Sequence, residues 1–435
     1  MEKEISYIKH KFNRFLRILG PGLITGAADD DPSGIATYSQ TGAQFGYNQL
    51  WTVIFMYPLM TAIQEACARI GSVTGKGIAA VVKDNFSKKI LYTVVLLVVV
   101  ANTINIGADI GAMASALNLL IPIPFIILAL FFTVIMLMLE IFTSYIVYAK
   151  ILKWLSLALL AYPVTAFIAG QNWTEVIKNT FVPHIELNFG FFFILTGVLG
   201  TTISPYMFFW QASEEVEEEI SKNRLLKGGG PPTITKHFLK NLRIDNAIGM
   251  FFSEIVTWFI IITTASVLHN HGVMNITTAA DAAKALEPLV STFPHSGFLA
   301  KTIFAAGIVG IGLLAVPVLA GSASYALSEA FNWKEGLSLK LKEAHGFYGI
   351  IIVATLIGLL INFIGVDPIK ALVFAAVFNG VAAVPLIFLI AKIARSSKVM
   401  GEYRSGWLSN SLIWLTFITM ALSSVIMFIT INPFK

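Results

Sequence analysis

The sequence is poor in charge and almost lacks cysteine. Charged residues make up 13% of its 435 residues, whereas 56% are hydrophobic and the mean hydropathy is +0.76. A soluble domain of this length could not bury so much apolar surface, and apolar spans of about 20 residues recur along the chain, as in membrane proteins. The single cysteine, Cys67, excludes an internal disulfide.

Other signals are also missing. The basic amphipathic start is followed by an apolar stretch that acids interrupt, so we expect no cleavable signal peptide. The net charge of +5 comes from Lys and Arg in short loops between apolar spans, which indicates membrane topology and no nucleic-acid partner. No nucleophile–base constellation or cofactor motif stands out. We therefore expect a non-enzymatic protein of the lipid bilayer without a bound cofactor. As a separate expectation, the protein is taken to be monomeric.

The apolar spans predict an all-α integral membrane protein with eleven transmembrane helices. Two of the spans, the first and the sixth, are interrupted by polar residues. The expected spans are Phe15–Gly46, Leu50–Ile70, Ile90–Leu117, Phe125–Phe142, Ile151–Ala169, Phe191–Gln211, Ile248–Leu268, Ile303–Leu327, Phe347–Ile364, Ile369–Ala391 and Leu412–Ile431.

The distribution of Lys and Arg predicts the orientation. With the N-terminus placed in the cytoplasm, 25 of the 30 basic residues fall in cytoplasmic segments. The external ones are Lys178, Lys284, Lys301, Lys370 and Lys435. This asymmetry is the usual bias of membrane proteins toward positive cytoplasmic loops. We expect a multi-pass protein of the cell membrane with a cytoplasmic N-terminus.

The two interrupted spans carry the strongest functional signal. The first contains Asp29, Asp30 and Asp31 followed by Pro32, and the sixth contains Ser204-Pro205. Charge inside a bilayer is costly and usually faces a pathway. A capping residue followed by proline suits the start of a helix, so each span is predicted to be two half-helices. Two ordinary proline kinks are the alternative, but a kink needs no acidic residue.

The breaks fall at equivalent positions of two five-span halves. This pattern predicts an inverted-repeat transporter with its site at mid-membrane. The expected divisions of this single domain (1–435) are a first repeat over 15–170, a second over 190–395 and an additional helix over 396–435. Carboxylate and backbone oxygens suit a divalent cation. Neighbouring helical residues diverge by about 100°, so we expect Asp31 to coordinate while Asp29 and Asp30 line the approach.

Several other polar residues lie in or near the spans. Asn102, Asn105 and Asp109 share one strip of the third span, which indicates either helix–helix hydrogen bonding or, for Asp109, a lining of the inner pathway. Glu65 is expected to pair with Arg69. The acidic run at 214–219 is interpreted as a solvated extension of span six. Scattered loop histidines are weak evidence for a metal site.

At these residues the chain resembles the Nramp family of divalent metal transporters, which has the leucine-transporter-type (LeuT) 5+5 inverted-repeat fold. The resemblance covers nearly the whole chain, including the stretches at 42–47, 68–71 and 74–76. The family's helix-one motif is Asp-Pro-Gly-Asn, and here Asp31-Pro32-Ser33-Gly34 stands in its place. The helix-six motif is Met-Pro-His, and here it reads Ser204-Pro205-Tyr206.

The departures from the family pattern predict a different ion preference. Asp31 is kept, but Gly34 replaces an asparagine ligand and Ser204 replaces a methionine thioether. A roomy, all-oxygen site suits partly hydrated Mg²⁺. The pattern therefore looks like the Nramp-related magnesium transporter branch, which the resemblance associates with Mg²⁺ and Mn²⁺. The full set of expected metal-site residues is Asp30, Asp31, Ser33, Gly34, Asp109, Thr201, Ser204, Tyr206 and Asn379. Of these, Ser33 and Thr201 are expected to offer backbone carbonyls.

Proton coupling is not expected. Tyr206 stands where the family has a histidine, and it does not titrate near neutral pH. Ile106 and Asp109 stand where proton-coupled members have two acids. We therefore expect Mg²⁺ and Mn²⁺ uptake by alternating access without obligatory proton transfer. The alternative is a proton-coupled Mn²⁺/Fe²⁺ importer in which Asp29 or Asp30 titrates. An amino-acid transporter is disfavoured because the aspartates would repel a substrate carboxylate.

Overall fold

The computed structural model describes residues 21–143, 157–221, 225 and 234–431, and the described elements are all helical. In chain order the α-helices are α1 (Pro21–Asp29), α2 (Pro32–Phe45), α3 (Trp51–Thr74), α4 (Ile78–Asn85), α5 (Lys88–Asn118), α6 (Phe125–Phe142), α7 (Ala161–Ile168), α8 (Trp173–Phe181), α9 (Phe189–Thr202), α10 (Pro205–Ser221), α11 (Lys236–Val267), α12 (Ala279–Lys284), α13 (Glu287–Val290), α14 (Ser296–Phe331), α15 (His345–Ile361), α16 (Pro368–Arg395), α17 (Ser397–Met400) and α18 (Trp407–Ile429).

Seven segments of the described residues are long and apolar enough to cross a membrane. They are 88–118, 125–142, 189–221, 236–271, 296–331, 368–395 and 407–429. Large apolar side chains such as Leu96, Phe374 and Leu422 are more than half exposed on these helices. Such exposure is unfavourable in water but suits contact with lipid chains.

The remaining predicted spans correspond to other helices. Span one is the pair α1 and α2, span two is the 24-residue α3, and span nine is the 17-residue α15. The start of span five, the basic N-terminal segment and the Gly-Pro stretch at 227–232 lie outside the described residues. The repeat boundaries stay a prediction.

Both predicted helix breaks are present. Helix α1 ends at Asp29 and α2 begins at Pro32, with Asp31 in extended conformation as its N-cap. The Asp31 carboxylate accepts a hydrogen bond from Gly34 N, which satisfies one of the free amides of the first turn. Helix α9 ends at Thr202 and α10 begins at Pro205. Proline at each start cannot donate to the preceding half-helix, so the chain breaks there.

Long helices pack around the two breaks. Helix α5 lies along α14, α9 lies along α16, and both halves of span one lie along α11. This arrangement brings the α1–α2 joint and the α9–α10 joint together beside the middle of α5. The joints are thus enclosed by helices on every described side, and Asp31 is fully buried.

Helices α1 and α11 meet along a close seam made by three residue pairs. Gly22 N donates to Asp245 Oδ2 at 2.8 Å, and Ser253 Oγ donates to Asp29 Oδ2 at 2.6 Å. Between them, a Cβ on Gly26 would lie 2.7 Å from Gly249 Cα and closer still to its carbonyl group. The glycine is required here because the two backbones touch. The seam residues recur every three or four positions, as one helix face does.

A buried ion pair confirms the prediction for Glu65. The Arg69 guanidinium donates to both Glu65 oxygens at 3.0 Å, and Arg243 Nε donates to Glu65 Oε1 at 2.9 Å. Arg69 also reaches Tyr403 O and Ser405 Oγ, each at 2.8 Å. Its side chain is fully buried, so these contacts tie the C-terminal segment to α3 and α11.

The solvated reading of the acidic run is wrong. Helix α10 does extend through it to Ser221, but Glu215 and Glu219 are only 2% and 1% exposed. The two residues are four positions apart and share one face of α10, which packs against α3 and α14. Gln211 Nε2 donates to Glu215 Oε1 at 3.0 Å on the same face. Packing against neighbouring helices, which a charge run does not reveal, decides this burial.

Candidate metal site at the two helix breaks

The site is centred on the Asp31 carboxylate, whose two oxygens have different surroundings. Oδ1 accepts hydrogen bonds from Ser33 Oγ at 2.6 Å and Gly34 N at 2.7 Å, and Thr201 Oγ1 lies 3.5 Å away. Oδ2 accepts one hydrogen bond, from Asn105 Nδ2 of α5 at 2.8 Å. No Lys or Arg forms an ion pair with Asp31 among the described residues. The carboxylate is thus a buried charge compensated only by neutral donors.

Glycine at position 34 determines how closely the two joints approach. A Cβ there would lie 3.1 Å from Thr201 Oγ1 and 3.2 Å from Tyr38 Cε2. The hydroxyls of Ser33 and Thr201 are 3.4 Å apart, so the α2 and α9 ends are nearly in contact. The prediction of empty space beside Gly34 is therefore wrong for this conformation, because Thr201 and Tyr38 fill that space.

Ser204 and Thr201 face one another across the α9–α10 joint. Ser204 Oγ lies 2.6 Å from Gly200 O and 2.8 Å from Thr201 O, so the hydroxyl is bonded to the end of α9. Thr201 turns its own hydroxyl toward Asp31. Its carbonyl is the acceptor for Ser204, so the side chain rather than the carbonyl of Thr201 faces the carboxylate.

The prediction that Ser33 offers a free backbone carbonyl is wrong. Ser33 is the second residue of α2, and its carbonyl accepts a hydrogen bond from Thr37 Oγ1 at 2.7 Å. An oxygen inside the first turn is already committed to the helix, whereas carbonyls at a helix C-terminus are free. The C-terminal end of α1 supplies carbonyls without a partner inside the helix. One of them, Ala28 O, accepts a hydrogen bond from Tyr206 OH at 3.3 Å. Ser33 itself stays at the site through its hydroxyl.

Asp29 and Asp30 face α11, and no described hydrogen bond joins them to Asn105, the partner of Asp31 Oδ2. Ser253 Oγ reaches Asp29 Oδ2 at 2.6 Å and Asp30 Oδ1 at 3.3 Å, and Thr257 Oγ1 lies 3.4 Å from Asp30 Oδ1. Glu254 on the same face is 3% exposed, and its oxygens lack hydrogen-bond partners among the described residues. Asp29 and Asp30 therefore share the Ser253 hydroxyl of α11, whereas Asp31 faces α5 and the end of α9.

Two other expected residues lie on the surrounding helices. Asp109 is fully buried on α5, is close enough to Asp31 for their charges to interact, and has both oxygens without a hydrogen-bond partner among the described residues. Asn379 is buried on α16, and its amide group likewise has no described partner. Neither forms a hydrogen bond with Asp31, so their role at the site stays a prediction.

The donor set is poor in charge. No group of three or more His, Cys, Asp or Glu side chains in the described part of the chain is arranged to hold a metal. Asp31 is the carboxylate at the joint itself, and the groups in contact with it are hydroxyl and amide groups. Such ligands suit hard cations that bind oxygen. Because the central residues Asp31, Ser33, Thr201, Ser204 and Tyr206 are all fully buried, an ion could reach the site only after the helices move.

Asn105 is the contact that sequence reasoning missed as a site residue. Its position on the polar strip of α5 was visible, but Asn102 on the same strip has an equally polar side chain. The structure separates them: Asn102 Nδ2 donates to Leu319 O of α14 at 2.9 Å, as helix–helix bonding predicts, whereas Asn105 faces Asp31.

The chain matches known proteins over almost its whole length. The model of the family described as natural resistance-associated macrophage protein-like (Nramp) matches residues 22–430. A protein called divalent metal cation transporter MntH from Caldanaerobacter subterraneus subsp. tengcongensis is 24% identical over 430 residues, covering 98% of this chain and 96% of that protein. The protein of the same name from Staphylococcus haemolyticus is 26% identical over 440 residues, covering 97% and 93%.

Solved structures show the same fold. The crystal structure of the Eremococcus coleocola manganese transporter in complex with an aromatic bis-isothiourea substituted compound has a TM-score of 0.73 at 17% identity, covering 95% of this chain and 86% of that chain. Mhp1, a nucleobase-cation-symport-1 family transporter, has a TM-score of 0.57 at 14% identity, with coverages of 95% and 90%. The predicted fold class, an all-α membrane protein of the LeuT type with broken helices 1 and 6, is confirmed.

Proposed function

Because this chain belongs to the Nramp family, we propose that it carries divalent metal cations across a membrane by alternating access. We propose further that Mg²⁺ and Mn²⁺ are its substrates and that they move down their own electrochemical gradients. The relatives named above are called divalent metal cation or manganese transporters, which supports the broader statement. The choice of Mg²⁺ rests on the residues of this chain.

One observation carries the proposal: Asp31 is a fully buried carboxylate at a helix break with no basic partner among the described residues. A buried charge without a counter-ion is costly, and a bound cation removes that cost. The site is enclosed between two half-helix joints, where small helix movements open it to one side or the other. This arrangement suits a carrier that exposes one ion at a time.

The ligands support a hard ion. The hydroxyls of Ser33, Thr201 and Ser204 and the Asp31 carboxylate offer oxygen only, and no sulfur atom contacts Asp31 among the described hydrogen bonds. Mg²⁺ prefers oxygen ligands and keeps part of its water shell. Thioether sulfur would favour softer transition metals, so its absence at position 204 favours Mg²⁺ and Mn²⁺ over Cd²⁺.

Transport without protons is supported by Tyr206, which occupies the histidine position of the family motif. The phenol is fully buried and donates to Ala28 O, so it has a structural partner, and a tyrosine side chain does not exchange protons near neutral pH as a histidine can. A proton-coupled Mn²⁺/Fe²⁺ carrier is the second candidate. It is favoured by Asp29 and Asp30, which lie beside Asp31 and are held by neutral hydroxyls of α11.

Uptake into liposomes tests both candidates. Purified protein is placed in liposomes that contain a pH-sensitive dye. The uptake rates of Mg²⁺, Mn²⁺, Ca²⁺ and Cd²⁺ are then compared. We expect Mg²⁺ and Mn²⁺ uptake without acidification, abolished in Asp31→Ala and retained in Asp84→Asn, whose side chain is half exposed and paired with Lys76. Ser204→Met should raise Cd²⁺ uptake relative to Mg²⁺. Acidification in step with uptake would favour the proton-coupled candidate, and normal uptake by Asp31→Ala would refute the site.

The location and orientation are also proposals. We propose a multi-pass cell-membrane protein with its N-terminus in the cytoplasm, supported by the distribution of Lys and Arg. Labelling of single cysteines introduced at Lys76 and Lys284, which lie on opposite predicted sides, tests the assignment in intact cells. A reagent that cannot cross the membrane should label position 284 only. The one native cysteine, Cys67, is buried.

A further inference from the structure

The Asn105 amide group is only half used. Asn105 is fully buried in the middle of α5, and Nδ2 donates to Asp31 Oδ2. Its carbonyl oxygen, Oδ1, is buried and has no hydrogen-bond partner among the described residues. An acceptor left unpaired in a buried environment is unfavourable and is normally explained by a bound group or a function. The Asn105 oxygen can therefore still accept a hydrogen bond or bind a cation.

The two oxygens of Asp31 show where an ion would bind. Oδ1 is taken by Ser33 Oγ and Gly34 N, which hold it as the N-cap of α2. Among the described residues, the hydrogen-bond partner of Oδ2 is the Asn105 N–H group. A cation approaching the carboxylate therefore meets Oδ2, and the Asn105 N–H group occupies that position in this conformation. Asn105 must turn before the ion can bind.

A half-turn about the last side-chain torsion of Asn105 exchanges Nδ2 for Oδ1 without changing the shape of the group. The Asn105 oxygen would then lie about as far from Asp31 Oδ2 as the nitrogen does now, 2.8 Å. Mg²⁺ binds oxygen at about 2.0–2.1 Å in octahedral geometry, which places neighbouring ligand oxygens about 2.9 Å apart. The spacing of the two groups already matches one edge of such a coordination shell.

We propose that Asn105 is a direct ligand of the transported ion. Its amide group donates to Asp31 when the site is empty and turns its oxygen to the ion when the site is loaded. This inference rests on the proposed function, because it names a specificity-determining ligand of that transport site. The neutral oxygen adds no charge. It also balances the lack of a side chain at Gly34, where an added Cβ would point at Thr201 Oγ1 and Asp31 Oδ1.

Asn102 provides a matched control on the same helix. It is equally buried, and its Oδ1 also lacks a described partner, but its Nδ2 is held by Leu319 O of α14. No described hydrogen bond joins it to Asp31. A substitution at Asn102 therefore changes the polarity of the α5 strip without changing the contact to Asp31.

The test compares Asn105→Leu, Asn105→Asp and Asn102→Asp in the full-length protein. Mg²⁺ and Mn²⁺ affinities are measured by calorimetry, and melting temperatures are measured with and without each ion. Asn105→Leu removes the ligand oxygen, and we expect at least a tenfold loss of affinity. Asn105→Asp keeps an oxygen but loses the N–H donor, and we expect binding within threefold of the wild type or tighter. In Asn105→Asp two carboxylates face one another. Mg²⁺ should therefore raise the melting temperature of this variant more than it raises that of the wild type.

The outcomes distinguish ligation from positioning. If Asn105→Asp binds as weakly as Asn105→Leu, the N–H donor matters and the proposal is wrong. Wild-type affinity in Asn105→Leu would overturn it as well. If Asn102→Asp reproduces the behaviour of Asn105→Asp, added charge explains the effect and ligation is refuted. Should Asn105→Leu fail to fold, Asn105→Ala gives the same comparison. A wild-type protein that binds and transports no divalent ion would instead refute the proposed function itself.

Discussion

The seam between α1 and α11 makes Gly26→Ala an informative substitution. The added methyl group would lie 2.7 Å from Gly249 Cα, whereas ordinary contact begins at 3.4 Å. The obstacle is backbone and cannot rotate away as a side chain could. The two helices must therefore separate by roughly 1 Å, a strain that typically costs about 1–3 kcal/mol.

Alanine also favours the helix by about 1 kcal/mol relative to glycine. Because the clash involves rigid backbone, we expect the strain to exceed this gain, with a net loss of about 1–2 kcal/mol and a melting temperature lower by about 1–2 °C for a chain of this length. Metal sites tolerate ligand displacements of about 0.2 Å. A shift of α1, which ends two residues before Asp31, should therefore lower ion affinity by about tenfold or more, as outer-shell changes commonly do.

Gly349→Ala on α15 is the matched control, because nothing lies within 4 Å of its added Cβ. It should transport like the wild type and melt at the same temperature or slightly higher. Thermal melting of the purified protein and liposome uptake at low Mg²⁺ concentration measure both effects. If Gly26→Ala matches Gly349→Ala in both assays, the close seam is not required and the reasoning fails.

Two further predictions concern buried carboxylates. Glu65→Gln leaves the fully buried Arg69 guanidinium without its counter-charge and should destabilise the protein by about 3 kcal/mol, measured by thermal melting. As a control in the same assay, Asp84→Asn breaks an exposed ion pair and should cost less than about 1 kcal/mol. In the loop after α14, burial and the nearby charges of Glu329 and Glu217 raise the pKa of Glu335 to about 9. The folded protein then binds more protons at Glu335 than the unfolded chain does from about pH 4.3 upward, so stability falls as pH rises to about 9. Glu335→Gln should melt about 2 °C or more above the wild type at pH 8 and equally at pH 4.5, and no difference at pH 8 would refute the assignment.

The helix breaks could be predicted because their causes are local. Asp31-Pro32 and Ser204-Pro205 carry capping and proline signals within a few residues, and the structure places a helix start at each proline. The capping role differs, however. Asp31 caps α2 as expected, whereas the Ser204 hydroxyl is bonded to α9 carbonyls. A hydroxyl can turn either way, and the sequence does not determine which.

The contacts that complete the site are tertiary. Asn105 and Asp31 are 74 positions apart, and only the packing of α5 against the joint distinguishes Asn105 from Asn102. The burial of Glu215 and Glu219 has a weak local signal in their shared face with Gln211, but a run of acidic residues hides it. Periodicity identifies the face of a helix, and the neighbouring helix decides what that face contacts.

The two oxygens of the Asp31 carboxylate have different partners, and this difference has a consequence for the return of the empty carrier. Oδ1 is anchored to the first turn of α2 by bonds that do not involve the ion, and in the proposed ligation by Asn105 only Oδ2 exchanges partners. Unloading therefore leaves the α2 start intact, with the Asn105 amide filling the vacated coordination position. The unloaded protein therefore keeps a hydrogen-bonded carboxylate at mid-membrane, which costs less than a bare one and should ease its reset for the next cycle.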